Sequence, residues 1–259
     1  MRNVMEIRLA RAEDAIGIVT VIRNGFASNL LEKIIYGCSG VTKYIQDLIR
    51  FPVPLADTMY IIAVTEDQVV GCVELRFFRD EIFLNYISVV SNFRSRGIGN
   101  KLLKAALNSI NQDRYTKLRL DVFSQNTIAR IWYESLGFQY EYSIGWWDIP
   151  IWELDDSDSA IITGYPQAQV CQEKFGFSQF SLITQNGEYS VGRIGHNWFR
   201  LIQSNALIDP GVAKTLSHLD ADRHILALIQ EGQMPPSVAE NSQRVAGTER
   251  MCIELKRLV

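Results

Sequence analysis

Residues 94–99 read Arg-Ser-Arg-Gly-Ile-Gly and connect two segments of different character. Residues 82–90 are rich in β-branched and aromatic side chains, which predicts a strand. Residues 98–110 place apolar side chains at helical spacing, which predicts a helix. Because the first turn of a helix has N–H groups without intrahelical partners and a dipole that favours anions, this arrangement predicts a phosphate-binding turn.

The side chains of the turn fit the same interpretation. Gly97 and Gly99 allow a ligand to approach the backbone closely, since neither residue has a Cβ. Arg94 and Arg96 add cationic donors at the same place. Taken alone, however, the pattern is also that of a solvated basic turn that begins a helix.

A second strand–helix–strand pattern follows further along the chain. Residues 117–123 predict a strand, residues 124–136 an amphipathic helix and residues 138–142 another strand. Either Ser124 or Asn126 could supply the side-chain oxygen that caps the start of this helix.

In their order and spacing, these patterns resemble the GNAT superfamily of acetyl-CoA-dependent N-acetyltransferases. The resemblance covers roughly residues 5–154 and includes an early hairpin predicted for residues 59–75. It implies an α+β fold, in which a mixed, mostly antiparallel sheet is flanked by helices. The matching residues are Val89, Arg94, Gly97, Gly99, Asn126, Tyr133, Leu136, Gly137 and Phe138.

The resemblance also implies where acetyl-CoA, the cosubstrate, would bind. In this family the strand before the loop offers backbone groups to the pantetheine arm, the loop N–H groups hold the pyrophosphate, and a residue of the later helix bonds the arm. The implied binding residues are Ile87, Ser88, Val89, Arg94, Ser95, Arg96, Gly97, Ile98, Gly99, Asn100 and Asn126.

Tyr133 is implied as the catalytic proton donor to the departing sulfur. The ordinary pKa of a tyrosine is about 10, against about 8.5 for a thiol, so the phenol stays protonated and can donate. The alternative is that Tyr133 is simply a packing aromatic residue on an amphipathic helix.

The general base is where the sequence departs from the family pattern. Many relatives carry Glu or Asp in the strand that ends at Val89, whereas the corresponding residues here are Asn85 and Tyr86. Glu74, on the preceding predicted strand, is the best substitute and is taken as the second catalytic candidate. Two alternatives remain open: Glu74 is a solvated strand residue, or the amine loses its proton through ordered water.

The rest of the chain predicts a smaller α+β module. A polar run at residues 155–159 predicts a linker, which divides the chain into a domain at 1–154 and a module at 155–259. Asn-Gly between two strand patterns predicts a hairpin over residues 180–194. Asp209 and the proline after it are predicted to open a helix that continues to Leu228. Residues 232–247 are polar and predict a loop.

The second module could contain a degenerate repeat of the first domain. Residues 121–124 and 129–138 align with residues 160–163 and 168–177, and both stretches predict strand, turn, helix and strand. The module is therefore interpreted either as a degenerate GNAT-like half or as an interaction module. Chance similarity between two such units is the alternative.

Composition limits the remaining classes of function. The net charge of −3 gives no support to nucleic-acid binding. The four cysteines are widely spaced, and the three histidines, His196, His218 and His224, match no common zinc pattern, so no metal site is predicted. The sequence shows neither a long apolar run nor a signal peptide, which predicts a cytoplasmic protein without a membrane partner.

The sequence thus predicts an N-acetyltransferase that transfers the acetyl group of acetyl-CoA to a primary amine of a small molecule, peptide or protein. The alternative is a non-catalytic acyl-CoA-binding sensor or adaptor with a C-terminal interaction module. A homodimer would be compatible with either function. The acceptor is not specified, because residues 23–54, predicted to cover its site, carry charges of both signs.

Overall fold

The computed structural model describes residues 5–52, 55–111, 114–151 and 159–257. They form two compact units, which we name unit 1 and unit 2. Unit 1 contains the chain up to Leu31, the segment Val41–Glu141, and the chain from Arg250 onward. Unit 2 contains Glu32–Gly40 and Tyr142–Glu249.

Both units contain helices and strands. Those that begin in unit 1 are β1 (Glu6–Leu9), α1 (Ala15–Arg23), α2 (Ser28–Leu31), α3 (Val41–Ile49), β2 (Thr58–Thr65), β3 (Gln68–Phe77), β4 (Glu81–Val89), α4 (Ile98–Asn108), β5 (Lys117–Phe123), α5 (Thr127–Ser135) and β6 (Gln139–Pro150). The others are β7 (Ile161–Thr163), α6 (Tyr165–Phe175), β8 (Phe177–Thr184), β9 (Gly187–Ile194), β10 (Trp198–Leu201), α7 (Pro210–Leu219), β11 (His224–Gln230), α8 (Pro236–Ala239) and β12 (Gln243–Glu254).

Unit 1 is built on a mixed sheet, as the sequence predicts. Strands β1 to β4 pair antiparallel in chain order, and β4 pairs parallel with β5. Helix α4 packs its apolar side chains, Ile98, Leu102, Leu103, Ala106 and Leu107, into a core with the buried residues of the sheet. This packing fixes the N-terminus of α4 close to the end of β4. The predicted α+β fold class is therefore confirmed.

Unit 2 repeats the pairing pattern of unit 1. Strands β7 to β10 pair antiparallel in chain order, and β10 pairs parallel with β11. The unit therefore begins again at β7, so the repeated segments differ from those aligned in the sequence. The predicted alignment matched the end of unit 1 with the start of unit 2, because any strand, helix and strand around a glycine give the same local pattern.

Two predicted elements of unit 2 need correction. The predicted helix from Asp209 to Leu228 ends at Leu219, and Asp220 is extended with φ −169° and ψ 96°. Strand β11 takes the remainder because it pairs with β10 on one edge and β6 on the other, which satisfies its backbone hydrogen bonds on both edges. The region predicted as a loop, residues 232–247, includes α8 and the start of β12.

The predicted domain division remains a prediction. Most of the predicted linker, residues 155–158, lies outside the described residues. The compact units divide the chain elsewhere, since β6 and β12 each contribute residues to both units. The segment Glu32–Gly40 also belongs to unit 2, although it lies between two helices of unit 1.

Side-chain and backbone contacts hold the segment Glu32–Gly40 within unit 2. The Cys38 thiol donates to the carbonyl of Gly176 at 3.2 Å, and the Lys33 ammonium lies 4.6 Å from the centroid of the Trp198 ring. At the end of the segment, Gly40 lies so near α6 that an added Cβ would stand 2.5 Å from the carbonyl oxygen of Lys174.

We therefore predict that Gly40→Ala destabilises the protein. The new methyl group would meet backbone rather than a movable side chain, and such overpacking typically costs about 1–3 kcal/mol. Urea unfolding monitored by circular dichroism measures the change. Gly99→Ala is the control, since its Cβ would lie at an ordinary 3.5 Å from the Trp132 ring. An unchanged free energy of unfolding in Gly40→Ala would contradict the tight packing.

Candidate active site

Strands β4 and β5 of unit 1 separate after a short stretch of pairing. Their last paired residues are Leu84 and Leu120. Beyond this pair, β4 continues to Val89 and β5 to Phe123. Among the described residues, the edge of β4 at residues 85–89 therefore has no strand partner on the β5 side. An unpaired edge offers backbone donors and acceptors to an extended ligand.

A β-bulge lies at the point where the strands separate. Glu74 of β3 stands opposite Tyr86, whereas the next residue, Leu75, stands opposite Leu84. Asn85 is the extra residue of β4, and a bulge of this kind bends its strand and re-aims the side chains near it. The Asn85 amide donates to the Oε1 atom of Glu74 at 2.6 Å.

The loop after β4 presents backbone donors, as the sequence predicts. Ser95 and Gly97 have positive φ values of 59° and 74°, and Gly97 forms the N-cap of α4. The N–H groups of residues 98–100, in the first turn, have no acceptor in the described part of the chain. Since a non-glycine residue at positive φ is uncommon, the backbone of Ser95 marks a constrained turn.

The two arginines of the loop are both exposed. Arg94 donates from Nε to the carbonyl of Val89 at 2.8 Å, which ties the loop to the end of β4. The guanidinium carbon of Arg96 lies 5.3 Å from the Phe93 ring centroid. Both arginines thus stand beside the backbone donors and leave further N–H groups for an anion.

The predicted residues of β4 lie along the separated part of the strand. Ile87 packs against the core of unit 1. The Ser88 hydroxyl donates to the carbonyl of Val21 in α1 at 3.0 Å, which fixes β4 against that helix. Val89 ends the strand where Arg94 binds it.

Helix α5 holds Tyr133 inside the core. The side chain is 7% exposed, and its ring centroid lies 4.8 Å from that of Trp132 and 5.6 Å from that of Phe138. Burial raises the pKa of Tyr133, so the phenol stays protonated at neutral pH. Its hydroxyl has no hydrogen-bond partner within the described ranges.

Asn126, rather than the alternative Ser124, caps α5. Its Oδ1 atom accepts from the backbone N–H of Ala129 at 3.2 Å. The cap uses the oxygen of the amide, so the exposed amide nitrogen can still donate.

Two aromatic residues near the site were missed by the sequence analysis. Trp132 donates from Nε1 to the Oδ1 atom of Asn100 at 2.7 Å and thereby joins α5 to α4. Phe26 follows α1 and stands edge-on to both Tyr86 and Phe123, at centroid distances of 5.7 and 6.0 Å. Phe26 therefore bridges the separated strands. Only the tertiary contacts distinguish these rings from other core aromatic residues.

Glu74 is fully buried, so its interpretation as a solvated strand residue is wrong. Its Oε1 atom accepts from Asn85 and, at 3.0 Å, from Nε of Arg76. Burial lowers the pKa of Arg76, but the charge and hydrogen bond of Glu74, together with the nearby Tyr86 and Tyr60, outweigh burial, so that the net pKa is raised. Burial and the same negative charge also raise the pKa of the Cys72 thiol.

The corresponding helix of unit 2, α7, has its N-terminus filled by a side chain of the protein. The carboxylate of Asp209, 3% exposed, accepts from the backbone N–H of Gly211 at 2.9 Å and that of Val212 at 3.4 Å. It also accepts from Thr184, Asn186 and Tyr189 at 2.7, 3.1 and 3.0 Å. An internal anion thus occupies the position that a phosphate would need.

Unit 2 also lacks a counterpart of the separated strand edge. Strand β10 ends at Leu201, and Leu201 is itself paired with Ala227 of β11. The two features that form the candidate site in unit 1 are therefore missing from the described part of unit 2.

Neither a metal site nor a membrane-spanning helix is found in the ranges that the structure describes. There, no group of three or more His, Cys, Asp and Glu side chains could hold a metal ion. None of the helices described is both long and apolar enough to cross a membrane.

We predict that Asp209→Asn destabilises the protein in a pH-dependent way. Burial raises the pKa of Asp209, but its side-chain hydrogen bonds outweigh burial, and the net pKa is lowered. The charged form of Asp209 therefore stabilises the fold above about pH 3.9, the ordinary aspartate pKa. This contribution disappears as the pH falls through the lower pKa that Asp209 has in the folded protein.

At neutral pH the loss should be about 1–3 kcal/mol, since hydrogen bonds to a charged group are replaced. Urea unfolding between about pH 2 and pH 7 measures the free energy. The exposed Asp222→Asn serves as the control. A constant difference between Asp209→Asn and wild type across this range would contradict the prediction.

Comparison with known proteins finds one family model that matches part of the chain. Residues 39–138 match the model of the "Acetyltransferase (GNAT) family". No curated protein matches the sequence significantly.

Three solved structures are similar over nearly the whole chain. A Pyrococcus horikoshii protein, to which an acetyltransferase function has been ascribed, is 16% identical with a TM-score of 0.67, covering 100% of this chain and 93% of that one. A tandem GNAT protein of the clavulanic acid biosynthesis pathway is 13% identical with a TM-score of 0.67, covering 97% and 98%. A GCN5-related N-acetyltransferase from Sphaerobacter thermophilus is 13% identical with a TM-score of 0.61, covering 96% and 95%.

At these identities the similarity establishes the fold alone. Together with the family model, it agrees with the strand pairing that unit 2 repeats. Residues 39–138 therefore match the GNAT family, and the chain as a whole has the fold of GNAT proteins, with a second unit of GNAT-like fold.

Proposed function

We propose that this chain is an N-acetyltransferase, which transfers the acetyl group of acetyl-CoA to a primary amine of a small molecule, peptide or protein. The observation that carries the proposal is the separated edge of β4 directly before the N-terminus of α4. The edge can bind an extended amide-containing arm, and the helix N-terminus can bind a pyrophosphate.

The backbone and side chains of the loop are proposed to hold the ligand. Acetyl-CoA supplies a thioester acetyl group when it is bound. The N–H groups of residues 95–100 would bind its pyrophosphate, with the side chains of Arg94 and Arg96 adding positive charge. The edge at residues 87–89 would bind the pantetheine arm, together with the Asn126 amide.

Tyr133 is proposed to donate a proton to the thiolate that leaves. The amine nitrogen attacks the thioester carbonyl carbon, the carbon–sulfur bond breaks, and the sulfur takes the phenolic proton. The buried, protonated phenol without a competing hydrogen bond fits this role. Its effect would be largest when negative charge develops on sulfur.

The burial of Glu74 favours an indirect role for this residue. A base that accepts the proton of the amine directly must come within hydrogen-bond distance of it. Glu74 is fully buried, and its Oε1 atom already accepts from Asn85 and Arg76. We therefore propose that ordered water accepts the proton of the amine. Glu74 is then a positioning residue, which holds Asn85 and Arg76 in place.

The same burial favours a second candidate, a non-catalytic acyl-CoA-binding sensor. In that function the chain would bind acetyl-CoA through the same loop and edge but would transfer nothing. Thiol release over a panel of amines, measured beside calorimetric binding of acetyl-CoA, distinguishes the two candidates.

We predict one acetyl-CoA per chain and a loss of binding in Gly97→Asp. An added Cβ at Gly97 meets no atom within 4 Å, although the φ of 74° strains any side chain there, and the carboxylate would repel the pyrophosphate. Calorimetry should show affinity reduced by at least about tenfold, because like charges in contact cost more than 1.4 kcal/mol.

Gly164→Asp is a matched control for this experiment. Gly164 is also an exposed left-handed N-cap, with φ 72° and ψ 9° against 74° and 8° for Gly97, and its Cβ would also be unobstructed. The control should bind acetyl-CoA normally. Equal affinity in both variants, or two molecules bound per wild-type chain, would overturn the proposed site.

We predict that Tyr133→Phe lowers turnover by about 10²–10⁴-fold and leaves acetyl-CoA affinity nearly unchanged. Stopped-flow thiol release and calorimetry measure the two quantities. Tyr115→Phe is the control, because Tyr115 lies in the same core and is also 7% exposed. Full turnover of Tyr133→Phe, with chemistry rate-limiting, would assign Tyr133 to packing alone.

A further inference from the structure

Arg76 has a partly exposed side chain that is anchored at a buried carboxylate. Its Nε atom donates to Glu74 at 3.0 Å, and the Arg76 side chain is 40% exposed whereas that of Glu74 is 1% exposed. The Arg76 side chain therefore connects the surface of β3 with a carboxylate inside the sheet. A buried carboxylate without a partner is costly, so the pairing fixes the position of Arg76.

The other donors of this guanidinium are available. Within the described residues, Nη1 and Nη2 of Arg76 have no hydrogen-bond partner, whereas Nε is used by Glu74. An arginine held through one nitrogen can present its outer edge as a planar pair of donors. That geometry matches the two oxygens of a carboxylate.

Arg76 is linked by hydrogen bonds to the point where β4 and β5 separate. Its anchoring oxygen, Oε1 of Glu74, also accepts from Asn85, the bulge residue where β4 and β5 separate. Tyr60 and Tyr86 flank Glu74 on the neighbouring strands. The guanidinium is thus two hydrogen bonds away from the first unpaired residue of β4.

We propose that Arg76 binds a carboxylate carried by the acceptor, so that the acceptors of this chain are amino acids and related aminocarboxylates. The inference rests on the proposed acetyl transfer and adds the substrate class to it. Glu74 is the positioning residue, and its burial is explained by this task. A single guanidinium edge suits a carboxylate, whereas a phosphate dianion commonly draws more than one cation.

The test compares matched acceptors on the full-length chain. Each aminocarboxylate is paired with its primary amide, which keeps the amine and loses the negative charge, and a phosphorylated amine forms a third arm. Thiol release at saturating acetyl-CoA gives kcat/KM, and calorimetry in the presence of CoA gives the dissociation constant. The variants are Arg76→Met and Arg76→Lys, with exposed Arg79→Met as the control.

Wild type and Arg79→Met should prefer the acid over its amide by about 10- to 100-fold, the range expected for hydrogen bonds to a charged group. Arg76→Met should reduce this preference to near one by lowering kcat/KM for the acid alone. Arg76→Lys should retain part of it, since lysine keeps the charge and loses the planar edge.

A second variant guards against misfolding, because Arg76→Met leaves Glu74 without its cation. The double variant Glu74→Gln/Arg76→Met removes both charges and should fold with the same loss of preference. Equal kcat/KM for acids and amides in wild type, a preference for the phosphorylated amine, or an acid preference that survives in the double variant would overturn the inference.

The binding measurement separates this inference from the proposed function. Arg76-dependent binding of the acids without release of thiol from any amine would overturn acetyl transfer and support the carboxylate site. Turnover of amines without an acid preference would support acetyl transfer and overturn the carboxylate site.

Discussion

The end of the parallel pairing between β4 and β5 is the constraint on which the candidate site depends. A backbone that leaves its ladder must expose donors and acceptors, and β4 does so for residues 85–89. The bulge at Asn85 occurs at the same point, and Phe26 bridges the two strands beyond it. The core of unit 1 holds α4 against the sheet, so that the first turn of α4 lies just after the loop that follows β4.

The comparison of the two units shows how one fold can keep or lose such a site. Both units have three antiparallel pairings followed by a parallel one. In unit 2 the short β10 stays paired to its end, and Asp209 satisfies the first N–H groups of α7. An internal carboxylate gives permanent stability where a bound anion would give it only on occupancy. This difference favours a structural role for unit 2.

Buried charge explains the arrangement around Glu74. A carboxylate inside a sheet needs donors, and Arg76 and Asn85 supply them. Burial and, after it, the same carboxylate raise the pKa of the Cys72 thiol, which therefore stays protonated. A residue in this position is better suited to orienting a guanidinium than to exchanging protons with solvent. The proposed carboxylate specificity follows from that orientation.

The sequence by itself determined the local features: the strand–loop–helix around Gly97, the cap at Asn126, the hairpin of unit 2 and the α+β class. These follow from periodicity, glycine and capping, which act over a few residues. Only the tertiary structure decided the burial of Glu74, the rings of Phe26 and Trp132, the strand β11, and the membership of Glu32–Gly40 in unit 2. Each of these depends on residues distant in sequence, whose contacts no local pattern encodes. The repeat illustrates the difference, since strand–helix–strand segments look alike until their pairing partners are known.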